Sequence, residues 1–241
     1  LYGAAPMSPA RLKDLLECFG PIFVQSYAAT ETGMIVSLLG KADHRIDSDA
    51  AVARLGSTGR VTPGVEVFIA DEQGQELAIG ETGEIRIRCR AVVQGYYGNP
   101  DQTAAEFADD CWRSGDLGFI DPDGYLHLVD RLKDMIITGG FNVYAVEVEA
   151  ALAEHPAVLM SAVVGIPHAE WGEAVHAEVV LRAGATVDEP ALIDLVKTRL
   201  GSFKAPKSIT LVDSLPISAV GKVLRREVRA KYWQGHQRAI G

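Results

Sequence analysis

The sequence is poor in cysteine and lacks the cysteine spacing of a metal or redox centre. Its three cysteines, Cys18, Cys89 and Cys111, lie far apart, and the 241 residues contain no CxxC motif. This argues against a zinc site and a disulfide framework, and it favours a reducing compartment. We therefore expect a cytoplasmic protein, with peripheral attachment to a membrane as the alternative.

Long apolar runs and an excess of positive charge are absent as well. No run approaches the roughly 18 apolar residues that a membrane span requires. The net charge of -9 argues against a nucleic-acid partner, which needs clustered lysine and arginine. With 48% hydrophobic and 23% charged residues, the composition is that of an ordinary globular protein of one or two domains.

The pattern of the chain changes at a charged segment near its middle. Upstream, short alternating apolar runs separated by glycine predict hairpins, whereas downstream strands alternate with amphipathic helices. Residues 130–134 carry four charges in five positions and precede an apolar run and the pair Gly139-Gly140. We therefore predict a domain boundary here, with domains of residues 1–130 and 131–241. The glycine pair permits either a tight turn or the close approach of a ligand.

Three loops carry residue types suited to binding, although each has an ordinary structural explanation. Residues 25–33 form a polar loop of small residues after a predicted strand, the place where open α/β sheets bind ligands. The alternative is a plain connecting loop. Taken alone, Ser114-Gly115-Asp116 is common loop material, and Lys222 in its glycine-containing loop is a solvated cation.

The segment from Asp130 to Tyr144, Asp-Arg-Leu-Lys-Asp-Met-Ile-Ile-Thr-Gly-Gly-Phe-Asn-Val-Tyr, resembles the hinge motif of the adenylate-forming superfamily. Within it, the acyl-CoA synthetase (fatty acid–CoA ligase) branch is the most similar. Other motifs of the superfamily recur in its order from Gly3 to Lys222. The resemblance implies a mixed α+β and α/β fold. Residues 1–130 would form the C-terminal part of the large AMP-binding domain, a sheet edge with a distorted β-barrel subdomain. Residues 131–241 would form a small mobile α+β domain.

The resemblance implies a nucleotide site in the first domain. Tyr27-Ala28-Ala29-Thr30-Glu31 is similar to the superfamily's Tyr-Gly-x-Thr-Glu motif, in which the tyrosine packs on adenine. By this likeness Thr30 contacts phosphate and Glu31 holds Mg²⁺, and both take part in catalysis. These residue types suit the task, because Mg²⁺ prefers hard oxygen ligands. Ala28 replaces the usual glycine, a departure that affects the geometry of the loop.

Other nucleotide contacts are implied on both sides of the boundary. Gly3, Ala4 and Ala5 match the small-residue segment that leaves room for the adenine ring. Asp116 matches the aspartate that binds both ribose hydroxyls, and an ionised carboxylate can accept two hydrogen bonds. Arg131 matches the second ribose contact.

A two-step reaction follows from the resemblance. A carboxylic acid, by likeness to the branch a fatty acid, attacks ATP to give acyl-AMP, and the thiol of coenzyme A then displaces AMP. Lys222 matches the lysine that catalyses adenylation, and Lys133 matches the pivot about which the small domain rotates. After rotation, Gly139 and Gly140 would make room for the pantetheine arm. The implied cosubstrates and cofactor are ATP, coenzyme A and Mg²⁺.

Two rival functions and several open points remain at this stage. One rival is an adenylation domain that loads a carrier protein, but the hinge sequence favours coenzyme A. The other is a nucleotide-binding module without turnover. The superfamily's Ser/Thr/Gly-rich phosphate loop and N-terminal half do not appear in these residues. We therefore expect a fragment of a longer protein that is inactive alone, because no group remains to hold the β- and γ-phosphates. A homodimer is one option, and the sequence does not identify the acid.

Overall fold

A computed structural model of the chain describes residues 1–3, 7, 9–108, 110–219 and 221–235. The chain divides into two compact units, Leu1–Val129 and Asp130–Gly241. The division falls one residue before the boundary expected from the sequence, so that Asp130 is the first residue of the second unit.

The first unit is built on a nine-stranded sheet within the described residues. The strands are β1 (Tyr2–Gly3), β2 (Gln25–Ala28), β3 (Ile35–Leu39), β4 (Gly59–Val61), β5 (Val65–Ala70), β6 (Gly83–Cys89), β7 (Phe107–Ala108), β8 (Cys111–Ile120) and β9 (Tyr125–Arg131). The order along the sheet is β1-β2-β3-β4-β9-β8-β6-β5, and β7 pairs with β8. β1 and β2 are parallel, whereas β2-β3, β3-β4, β4-β9, β5-β6, β6-β8 and β7-β8 are antiparallel.

In the described part of this unit, three α-helices accompany the sheet: α1 (Pro9–Phe19), α2 (Asp49–Arg54) and α3 (Pro100–Glu106). The side chain of Ser48 caps α2 by accepting a hydrogen bond from the Ala51 amide, and Asn99 caps α3 in the same way through the Gln102 amide. The main core of the unit lies where strands from distant parts of the chain meet. Its buried members are Tyr27, Val36, Ile69, Ile85, Ile87, Trp112 and Leu126.

Within the described residues, the second unit is built on a five-stranded sheet. Its strands are β10 (Ile136–Thr138), β11 (Phe141–Val143), β12 (Val158–His168), β13 (Gly172–Leu181) and β14 (Ser208–Leu211). Their order is β11-β10-β13-β12, with β14 beside β13. Its helices are α4 (Ala145–Ala153), α5 (Glu189–Leu200) and α6 (Arg225–Tyr232).

Helices cover both faces of this second sheet. Val163 of β12 points to the face covered by α4 and α5, whose Val148, Leu152 and Leu192 are fully buried there. Its neighbours Ala162 and Val164 point to the opposite face, where they pack with Val228 of α6. Alternation of side chains along a strand explains this two-sided packing. Among the described residues, no helix has the length and apolar character required to cross a membrane.

Candidate functional site

The end of β2 and the loop after it carry three of the predicted site residues, Ala28, Thr30 and Glu31. Thr32, which no sequence motif indicated, organises this loop. It is fully buried, and its hydroxyl lies 2.9 Å from the carbonyl oxygens of both Ala29 and Met34. The loop therefore has an internal support, whereas Ala28 and Thr30 remain exposed at its surface.

Tyr27 and Asp116 meet although they are 89 residues apart in the sequence. The Tyr27 hydroxyl donates a hydrogen bond of 2.7 Å to Oδ2 of Asp116. Tyr27 lies one residue before the end of β2, within the core of the unit, and Asp116 lies half-buried in β8. The structure thus brings together the residue expected beside adenine and the residue expected beside ribose.

The backbone around Asp116 is fixed by its neighbours. The Ser114 hydroxyl donates to the Ile85 carbonyl at 2.6 Å and accepts from the Asp116 amide at 3.0 Å. Gly115 between them has a φ of +65°, a conformation that side chains disfavour. This kink in β8 explains the Ser-Gly-Asp order in structural terms and holds the Asp116 carboxylate beside Tyr27.

Glu31 is held by Tyr96, a second residue to which the sequence analysis assigned no role in the site. The Tyr96 hydroxyl lies 2.9 Å from Oε1 of Glu31 and makes a shorter hydrogen bond with Glu106. Burial, followed by the hydrogen bonds with Glu106 and Glu31, raises the pKa of Tyr96, so the hydroxyl stays protonated. Tyr96 can therefore donate to a carboxylate throughout the physiological pH range.

The half-buried Glu31 carboxylate has the chemistry expected of a magnesium ligand. Mg²⁺ in nucleotide sites is held by one or two carboxylates together with phosphate oxygens, rather than by a cage of protein ligands. The described part of the chain contains no cluster of three or more His, Cys, Asp or Glu side chains that could hold a metal. A single carboxylate beside bound phosphates is the arrangement that these residues fit.

The structure places the small-residue segment only in part. Gly3 lies in β1, where an added Cβ would come within 2.5 Å of the Ser26 carbonyl oxygen. A close approach between β1 and β2 thus requires glycine at this position. Ala4 and Ala5 lie outside the described residues.

The Lys222 loop is a small closed turn in the second unit. The Ser218 amide donates to the Lys222 carbonyl at 2.8 Å, and the Lys222 amide donates to the Ser218 hydroxyl at 3.1 Å. Ile217 and Val223 form an isolated β-bridge around this turn. The backbone at Lys222 is therefore held in place, while its side chain is partly exposed.

Gly139 and Gly140 form the two-residue turn between β10 and β11. Both have positive φ values, +56° and +83°, as a type I′ hairpin turn requires. An added Cβ would meet only Trp171 at 3.7 Å from Gly139 and nothing within 4 Å of Gly140. The backbone conformation, not crowding, therefore accounts for the two glycines in this structure, and both lie on an exposed face.

The hinge segment contains a short 3₁₀ turn, Leu132–Asp134. The side chains of Arg131 and Lys133 are exposed. The Lys133 carbonyl accepts a hydrogen bond of 2.8 Å from Arg229 of α6, so this segment is tied to the last helix of its own unit.

Two family models match the chain in consecutive order. Residues 1–97 match the model described as AMP-binding enzyme, and residues 147–222 match the AMP-binding enzyme C-terminal domain. The chain belongs to the AMP-binding enzyme family. The C-terminal match ends at Lys222, and the first match contains Tyr27, Glu31 and Tyr96.

Individual relatives within the AMP-binding enzyme family differ in the activities that their names specify. The medium/long-chain fatty acid–CoA ligase FadD8 of Mycobacterium tuberculosis is 45% identical over the whole chain, which covers 42% of that protein. The fatty acid–[acyl-carrier-protein] ligase ScoC of Streptomyces coeruleorubidus is 38% identical, again over the whole chain and 46% of that protein. The structure of the amide bond synthetase McbA from Marinactinospora thermotolerans has a TM-score of 0.87 and 38% identity, over 96% of this chain and 46% of McbA.

The chain thus spans less than half the length of each of these relatives. Family membership and the structural likeness confirm the resemblance to adenylate-forming enzymes and the mixed α and β fold class expected from the sequence. The roles of individual site residues stay predictions.

Proposed function

We propose that this chain is the adenine, ribose and small-domain portion of an AMP-forming carboxylic acid–CoA ligase. The observation that carries the proposal is the 2.7 Å hydrogen bond between Tyr27 and Asp116. An aromatic ring that stacks on adenine and a carboxylate that binds ribose must lie close enough to contact the same nucleoside. Tyr27 and Asp116 are already hydrogen-bonded to each other, so less side-chain ordering is required when the nucleotide binds.

In this proposal the first half-reaction joins the acid to AMP. Tyr27 packs on adenine, Asp116 and Arg131 hold the ribose, and Thr30 contacts phosphate. When bound at Glu31, Mg²⁺ supplies positive charge to the phosphate oxygens. The Lys222 ammonium bridges the acid's carboxylate and the α-phosphate, where it stabilises the charge that develops as the new P–O bond forms and pyrophosphate leaves.

The second half-reaction requires another arrangement of the second unit. The thiol of coenzyme A attacks the acyl carbonyl and AMP leaves, so the residues around that carbonyl must change. We assign the change to a rotation at Lys133, after which the exposed Gly139-Gly140 turn faces the carbonyl. A turn without side chains leaves room for the pantetheine arm. Conformational steps of this kind limit the turnover rate of many enzymes.

The decisive experiment uses the whole gene product from which this chain comes. ATP–pyrophosphate exchange is measured with panels of fatty and aromatic acids, and thioester formation is then measured with coenzyme A. We expect exchange with at least one acid and a coenzyme A thioester as the product. Absence of exchange with every acid, despite binding of MgATP, would favour the nucleotide-binding module without turnover.

A second acceptor deserves a parallel test because of the likeness to ScoC, whose name specifies an acyl carrier protein. The same exchange reaction is followed by addition of either coenzyme A or a phosphopantetheinylated carrier protein. Transfer to the carrier protein alone would replace coenzyme A in the proposal and leave the adenylation step intact.

A further inference from the structure

Asp130, the first residue of the second unit, is buried and bound to two elements that follow it in the chain. Its side chain is 1% exposed, and Oδ2 accepts a 3.2 Å hydrogen bond from the amide of Val146, the second residue of α4. Oδ1 accepts from the Arg131 amide at 2.8 Å and lies 3.5 Å from Nη1 of Arg225. A buried carboxylate needs such partners, so these contacts strongly favour the present position of Asp130.

Arg225, the cation facing Asp130, has two further carboxylate partners. Its Nε and Nη2 form a fork on Glu149 at 2.8 and 2.5 Å, and Nη1 lies 3.6 Å from Asp134. Glu149 in turn accepts a 2.9 Å hydrogen bond from the Val163 amide of β12. Because Arg225 is the first residue of α6 and follows Lys222 by three positions, this cluster anchors the base of the Lys222 loop.

The partners of Asp130 lie on the other side of the proposed pivot. Asp130 precedes Lys133 and belongs to strand β9, whereas Val146 and Arg225 follow Lys133. A rotation at Lys133 leaves Asp130 with β9 and carries both partners away. Arg225 and its two other carboxylate partners, Asp134 and Glu149, all follow the pivot and move together. The Arg225 guanidinium therefore keeps two carboxylate partners when its contact with Asp130 breaks.

We propose that Asp130 is a positioning residue that latches one of the two arrangements of the second unit, through bonds to Val146 and Arg225 that break in the other. The inference rests on the proposed function, because it takes Lys133 as the pivot. It goes beyond that function by naming a contact that sets the balance between the two half-reactions. The retained partners of Arg225 allow the latch to open without leaving a buried cation unpaired.

The first experiment compares Asp130→Asn with Asp134→Asn in the whole gene product. The asparagine removes the charge and keeps an acceptor oxygen, and Asp134 offers a matched carboxylate that faces the same guanidinium from beyond the pivot. We expect Asp130→Asn to change the ratio of the adenylation rate to the thioesterification rate roughly tenfold, the worth of one charge-assisted hydrogen bond. Asp134→Asn should change both rates alike and keep the ratio within about twofold. An unchanged ratio in Asp130→Asn would overturn the latch.

The second experiment needs no variant and no acid. Hydrogen exchange of the Val146 amide, which donates to Asp130, is measured in the wild-type protein with MgATP and, separately, with coenzyme A. The Val163 amide, which donates to Glu149, is the internal control. We expect Val146 to exchange roughly tenfold faster in one ligand state than in the other, while Val163 stays equally protected. Equal protection of Val146 in both states overturns the latch. If the proposed function is wrong, the wild-type protein will catalyse neither half-reaction, and this result is distinct from a failure of the latch.

Discussion

The two units hold their candidate reactive groups in different ways. In the first unit, Tyr27 and Asp116 lie in strands and Glu31 lies in a loop, and each is bonded to another side chain of the same unit. In the second unit, the Lys222 side chain and the Gly139-Gly140 turn lie at partly or fully exposed positions. The same unit contains a cluster of charges centred on Arg225, in which Asp130 is buried.

This difference is consistent with the proposed function, in which the first unit binds the nucleotide and the second unit moves. A nucleotide site gains affinity when its groups are ordered beforehand, and the first unit has this property. In the proposed reaction, Lys222 serves only one half-reaction and must leave the site for the other. A partly exposed side chain on a loop that is held by its own backbone hydrogen bonds is suited to such a movement.

The substitution Lys222→Ala is expected to have the largest effect and tests the role given to the second unit. Loss of the ammonium should lower the rate of acyl-AMP formation by about 10²–10³-fold, the usual effect of removing one group that stabilises transition-state charge. Thioester formation from supplied acyl-AMP should be largely retained. Single-turnover assays of each half-reaction check this, and equal loss in both would remove Lys222 from its proposed role.

The converse variant is Lys133→Pro, which fixes φ at the proposed pivot. Lys133 lies in the short 3₁₀ turn Leu132–Asp134 and not in a strand or an α-helix, so the change tests rotation more than folding. We expect thioesterification to fall by about 10²-fold, since a misplaced site typically costs that much, with adenylation less affected. Unchanged thioesterification would place the pivot elsewhere.

The buried cluster of the second unit should show in the pH dependence of stability. Burial, opposed by Arg225 and assisted by Asp134, raises the pKa of Asp130 from 3.8 to about 6. Between these values the folded state binds more protons than the unfolded state, so this group's stabilisation is present below pH 4 and is lost as pH rises through 6. The free energy of unfolding should fall by up to about 3 kcal/mol across that window.

Asp130→Asn provides the control for this titration. Other carboxylates titrate in both proteins and cancel when the two curves are subtracted. Denaturant unfolding at several pH values gives the difference, and a difference that does not vary between pH 4 and 6 contradicts the assignment.

The preordered loop of the first unit is tested by Thr32→Val, which keeps the shape of the side chain but removes its hydroxyl. The Ala29 and Met34 carbonyls then lose a buried partner, at a cost of about 1–3 kcal/mol in unfolding free energy. Denaturant unfolding measures this, and Thr32→Ser, which restores the hydroxyl, should recover most of the loss.

The smallest expected effect comes from Tyr27→Phe. The aromatic face remains, and the hydrogen bond to Asp116 is lost, a contribution of about 1 kcal/mol. We expect a several-fold rise in KM for ATP with little change in unfolding midpoint. An unchanged KM would mean that the hydrogen bond from Tyr27 is not required to hold Asp116 in place.

Local sequence patterns predicted the hairpin character of the chain before residue 130. The strands β5 and β6 pair antiparallel there, and the Asp121–Gly124 turn is closed by the Gly124 amide on the Asp121 carbonyl at 2.8 Å. These elements depend on neighbouring residues, which a sequence displays directly.

The residues that hold the candidate site residues in place could not be predicted in this way. These residues are Thr32, Tyr96 and Arg225. Thr32 bonds residues two and three positions away, whereas Tyr96 and Arg225 bond residues that lie far along the chain. Glu31 and Tyr96 are separated by 65 residues, and Arg225 and Asp130 by 95. No periodicity links such pairs, because each contact exists only after the strands and helices have packed.

The sequence by itself determined the element types, the family likeness and the residue types available for chemistry. These follow from backbone propensities, apolar periodicity and short motifs, which need no long-range contact. Only the tertiary structure decided that Tyr27 bonds Asp116 and that Asp130 is buried against Val146 and Arg225. Removal of water makes those polar contacts selective, and burial is a property of the packed chain.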